Sequence, residues 1–115
     1  MQVEVLEGET VIGSAVLVHL DPPMGVAFGP FTPSTQYDRN RHANTVDGTY
    51  VDDFGKSLRV RADQGGEIEA AAIAIEDWAE SLAMRELTVF FADGNDYRAL
   101  FSDHEEYKAY YPNST

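Results

Sequence analysis

Thr10-Val-Ile-Gly-Ser-Ala-Val-Leu-Val-His-Leu20 runs into Asp21-Pro-Pro-Met-Gly25 and then into Val26-Ala-Phe-Gly-Pro-Phe31. β-Branched residues crowd the first part, and they pack well on a pleated surface. Ile12, Val16, Val18 and Leu20 share one parity, while Val11, Ala15, Leu17 and His19 share the other. A strand apolar on both parities is expected to be covered on both faces. The run is too short for a membrane helix and is interrupted by Gly13, Ser14 and His19. Pro22 and Pro23 have no amide proton and force a corner, and Gly25 suits a positive φ. A second strand is expected over Val26–Phe31, kept short or placed at an edge by Gly29 and Pro30.

Outward from this stretch, Gln2 to Leu6 alternates as a first strand, and Glu7-Gly8-Glu9 reads as a hairpin turn. Residues 32–55 lack an apolar period and read as a long loop, with a short strand at Thr49 to Val51. Ser57 to Ala62 alternates, with Leu58 and Val60 inward and Arg59 and Arg61 outward. Asp63-Gln-Gly-Gly66 reads as a turn. Residues 67–82 fit two patterns. As a helix, Ile68, Ala72, Ile75, Ala79 and Leu82 form a stripe. As a strand, 67–76 pairs back on 57–62, with a helical turn near Asp77–Met84; the hairpin-like turn and the missing helix cap favour this. Glu86 to Ala92 is a strand, and Asp93-Gly-Asn-Asp96 a turn. Ser102-Asp-His-Glu105 has capping-box spacing and would open a helix running to about Tyr111, ended by Pro112. The fold expected is mainly β: a small antiparallel sheet or open barrel of about six strands with a short C-terminal helix, in one domain. The alternative is a two-layer α+β sandwich with a helix at 67–82.

The chain has 115 residues and a net charge of −12. Residues 1–38 carry −5, residues 39–61 carry +2, and the remainder carries −9. Such a surface repels phosphate backbones and anionic lipid and attracts basic proteins. No nucleic-acid or membrane partner is therefore expected. The sequence holds no cysteine, and Met1-Gln-Val-Glu-Val-Leu6 has no Sec-type signal pattern, which together suggest a cytoplasmic protein.

Catalytic signatures are sparse. His19 and Asp21 share a strand face and form the one weak general-base or ligand pair. No His-Glu-x-x-His, P-loop, Gly-x-Ser-x-Gly or dinucleotide fingerprint occurs. The Asp47, Asp52, Asp53, Asp93, Asn95 and Asp96 clusters lack EF-hand spacing and suit turns. No cofactor or metal is expected. Tyr37, Arg39, Arg41 and His42 concentrate residue types favoured at binding hot spots. Glu67, Glu69, Glu76, Asp77 and Glu80 form the candidate acidic face.

The expected function is a non-catalytic acidic protein-binding domain, in its most concrete form an immunity or inhibitor protein for a basic partner. One alternative is a small enzyme or ligand-binding barrel, its pocket lined by Phe28, Phe31, Tyr37, Trp78 and Phe90 with His19 and Asp21. Another is a homo-oligomeric structural subunit that associates through an edge strand such as Val26–Phe31.

Overall fold

A computed structural model describes residues 1–62 and 66–111. It is mainly β. The strands are β1 (Gln2–Glu7), β2 (Thr10–Val16), β3 (His19–Asp21), β4 (Val26–Pro33), β5 (Thr45–Val46), β6 (Thr49–Tyr50), β7 (Leu58–Ala62), β8 (Glu67–Ile68), β9 (Ala70–Trp78) and β10 (Met84–Phe91). Four short helices accompany them: α1 (Arg39–His42), α2 (Ala79–Leu82), α3 (Gly94–Phe101) and α4 (Glu105–Tyr110). The sheet order is β6-β5-β9-β10-β4-β2-β1-β7-β8, with β3 on β4. The sheet is open and mixed. β5 runs parallel to β9, and every other pair is antiparallel.

The ten strands exceed the expected six because four of them, β3, β5, β6 and β8, are short pieces within apparent loops or breaks. The 10–20 run is not covered on both faces: it breaks at Leu17 and Val18, and Val16 and Val18 are exposed. β2 pairs with the far end of β4 and β3 with its near end. β4 is thus central, flanked by β10 on one side and by β2 and β3 on the other, rather than at an edge. Pro30 is tolerated because it falls between Val26–Phe28, which pairs with β3, and Phe31–Pro33, which pairs with β2. Gly29 is required there, since a Cβ would collide with the Val16 carbonyl. The corner after β3 is a 3-10 turn over Pro22–Met24, closed by Gly25 at φ 64°.

Residues 67–82 are extended up to Trp78, with helical geometry only at α2. The strand pairs with β7 at Ile68 and Glu67, then leaves it to pair with β10 along eight registered positions. The turn expected at 63–66 lies mostly outside the described residues, as does Pro112. The C-terminal capping box is corrected. Ser102 ends α3, and the His104 side chain caps α4 by accepting the Glu106 N–H. Asp93 caps α3 by accepting the Asn95 N–H, which turns the expected turn into a helix start.

Val3, Val5, Ile12, Leu17, Val60, Ile75, Leu87 and Val89 are fully buried in one apolar cluster. Tyr97, Phe101 and Tyr107 from the terminal helices join it beside Phe91. Glu106 fastens α4 to β3 by accepting the Leu20 N–H at 2.7 Å and bonding His19 Nδ1 at 3.0 Å. No described helix is long and apolar enough to cross a membrane.

Candidate protein-binding face

The Tyr37 to His42 segment is held inward by its own polar groups. Asp38 caps α1 through the Asn40 N–H. Arg39 pairs with Glu80 at 2.9 Å and Arg41 with Glu7 at 3.0 Å. His42 is 2% exposed. Its Nδ1 accepts the Asp38 N–H, which puts the ring proton on Nε2 toward Glu7 Oε1, 3.2 Å away. Bonds from Arg41 and then His42 hold the Glu7 carboxyl below its ordinary range.

Asp77 is 0% exposed. It accepts from the Tyr37 hydroxyl at 2.7 Å, Arg85 Nε at 3.0 Å and the Ala79 N–H at 2.9 Å. Burial pushes the Asp77 carboxyl up, but the Ala79, Tyr37 and Arg85 donors outweigh it and the net shift is downward. The Tyr37 hydroxyl is pushed up by burial and by the carboxylate it serves. Asp77 and His42, expected to meet a partner, are thus interior residues. β9 alternates, and its odd positions Ile73, Ile75 and Asp77 face the core.

The remaining acids of the expected face are dispersed. Glu67 is paired with Arg59 at 2.5 Å, and Glu80 with Arg39. Glu69 is exposed in the link between β8 and β9. Glu76 alone lies on the outer side of the sheet centre, where the register builds a surface. One row crosses the strands as Tyr50, Thr45, Glu76, Glu86 and Pro30. Above it stand Trp78 and Met84; below it run Ala74, Thr88, Phe28 and His19, and then Ala72, Phe90, Val26 and Asp21. Tyr50 is 66% exposed and Met84 44%.

Glu76 and Glu86 are direct cross-strand neighbours. Neither has a basic partner among the described residues, although Arg39, Arg41, Lys56, Arg59, Arg61 and Arg85 all have acidic ones. Trp78 Nε1 donates to Glu76 at 3.3 Å. The Glu86 carboxyl is pushed above its ordinary range by partial burial and then by Glu76, with His19 offsetting part of the shift. Two open troughs flank Glu86. One, of about 540 Å³, includes His19, Pro30 and Met84; the other, of about 310 Å³, includes Met24, Phe28 and Phe90.

Sequence reasoning missed Glu86, Met84 and Tyr50 as members of this face. The parity of Glu86, Thr88 and Phe90 against Leu87, Val89 and Phe91 was the available signal. What it lacked was the register that puts Glu86 opposite Glu76.

His19 and Asp21 do share an exposed face, but His19 is bonded to Glu106. The aromatic residues of the expected pocket are divided by the sheet: Phe31 packs edge-on to Tyr37 inside, whereas Phe28, Phe90 and Trp78 lie outside. A separate cleft of about 570 Å³ opens where β7 and β9 part, floored in part by Ile68 and Ala70 to Ile73. Among the described residues no three His, Asp or Glu side chains are grouped to hold a metal. Comparison with protein-family models, curated proteins and solved structures finds no match for the chain.

Proposed function

We propose that this chain is a non-catalytic, cytoplasmic, acidic protein-binding domain for a basic partner, in its concrete form an inhibitor or immunity protein. The observation that carries the reading is how the charges are spent. The arginines of residues 39–61 are matched one by one by carboxylates within the chain. Among the described residues, Glu76 and Glu86 are left without an ion pair although they face each other. A like-charge cross-strand pair destabilises a sheet, so its place beside exposed apolar side chains suits a surface completed by a cationic partner. Steering by the net charge of −12 would raise the association rate with such a partner.

The test is affinity capture from the source cell's lysate at low salt and at about 0.5 M salt, where the Debye length shrinks to a few ångströms. The reading expects a basic protein that is held at low salt, released at high salt, and then shown by titration calorimetry to bind as a purified pair with one-to-one stoichiometry. Recovery of no basic protein at either salt counts against it.

A further inference from the structure

The registered rows on the outer side of β9, β10 and β4 allow the docking surface to be named. We propose that this sheet face, centred on Glu76 and Glu86, is where the basic partner docks, and that a lysine or arginine of the partner seats between the two carboxylates. The inference rests on the function proposed above and adds the location and the chemistry of the contact.

Three observations favour a basic protein over other occupants. Glu76 and Glu86 are opposed across the ladder, and among the described residues neither is ion-paired with a lysine or arginine of this chain. A partner cation would bond both and remove their repulsion at once. Next to them, Trp78 and Met84 form an apolar row, and Met84 is 44% exposed. The methylene stem of a lysine or arginine packs on such side chains while its head stays polar. On the other side Phe28, Thr88 and Phe90 continue the surface toward the trough that includes Met24, which is 66% exposed. Apolar area flanking a charged centre is how protein interfaces gain affinity, with aromatic residues as anchors. A second copy of this chain would bring the same two carboxylates against themselves on a body of net charge −12. Nucleic acid and anionic membranes are repelled for the same reason.

The other acidic sites are less suited. Glu67 and Glu80 already hold Arg59 and Arg39. Asp93 is occupied as a helix cap, and Glu106 is engaged by His19 and the Leu20 N–H.

Amide and indole NMR of the labelled protein, titrated with a synthetic peptide of alternating lysine and leucine, tests the proposal. Shifts should saturate and cluster on Glu76, the Trp78 indole, Met84, Glu86 and Thr88. They should weaken at least tenfold in the E76Q/E86Q double variant and remain in an E67Q/E69Q control. Shifts clustered on Glu67 to Ala71 or on Asp93 to Glu106, or unchanged affinity in E76Q/E86Q, overturn the location while leaving the binding function standing. No saturable shift anywhere at low salt overturns both. Circular dichroism and thermal melting of E76Q/E86Q keep the reading clean, since loss of a repulsion leaves the fold at least as stable as the parent.

Discussion

Neutralising Glu86 should make the protein more stable. Glu86 faces Glu76 across the β9–β10 ladder, is partly buried, and has no basic partner among the described residues. Directly opposed like charges cost a sheet up to about 1 kcal/mol, and two unit charges about 6 Å apart repel by about 0.7 kcal/mol even at the dielectric of water. Glu86→Gln removes that repulsion and keeps the shape. The expected gain is about 0.5–1 kcal/mol, or a rise of roughly 2–5 °C in Tm for a domain of this size. Urea unfolding at pH 7 and low salt measures it, and the gain should shrink as salt is added. Because the raised carboxyl binds a proton more readily in the folded chain, its contribution is fully favourable below the ordinary glutamate range. That contribution is lost as pH rises through the raised value. Glu86→Gln should flatten this segment of the pH–stability curve. Glu76→Gln should also stabilise, and the double variant should gain less than the two singles added, because one repulsion is removed only once. Strict additivity, or a less stable E86Q protein at low salt, would refute the reasoning.

Other consequences are independent of the face. Asp77→Ala strands the buried end of the Tyr37 and Arg85 network and should cost about 2–4 kcal/mol by chemical denaturation, whereas Asp77→Asn should cost less because it still accepts hydrogen bonds. His104→Ala removes the α4 cap and should lower stability by about 1 kcal/mol, while Ser102→Ala, which removes no cap, should stay within about 0.5 kcal/mol; equal effects would return the cap to Ser102. Gly29→Ala sets a Cβ against the Val16 carbonyl, so soluble yield and Tm should fall sharply with roughly 3 kcal/mol or more lost. On acidification, Glu7 and Glu106, both held low by their donors, should lose their stabilising contributions as pH falls below the ordinary carboxylate range; E7Q should reduce that loss in an acid-unfolding titration.

The strands were legible wherever alternation was strong. Gln2 to Leu6 and Ser57 to Ala62 declared themselves by a period of two, Glu86 to Ala92 by its β-branched and aromatic residues, and the Pro22-Pro23 corner by missing amides. Extended geometry over 67–76 was legible too, because a turn signal precedes it and no helix cap does, whereas the strand's continuation to Trp78 was not. The place of β4 was not. Proline normally marks an edge, and only the handover from β3 to β2 shows why Pro30 is harmless in the centre. The Tyr37 loop read as a binding surface because tyrosine, arginine and histidine are frequent there. The same residue types serve equally well as clips, and Glu7, Asp77 and Glu80 that engage them lie far away in sequence. Glu76 was picked out and its neighbour Glu86 was not, since cross-strand distance depends on register and register on the whole sheet.

The account turns on which face of the sheet meets the proposed partner. A photoreactive benzophenone side chain placed at Met84 or at Thr88, both on the proposed face, reports it directly in living cells. Controls at Ala71, beside the β7–β9 cleft, and at Leu100, exposed on α3, lie elsewhere. The account predicts a single basic protein cross-linked from Met84 and Thr88 and absent from the two controls. Adducts only from Ala71 or Leu100, or a cross-linked protein of acidic character, would contradict it.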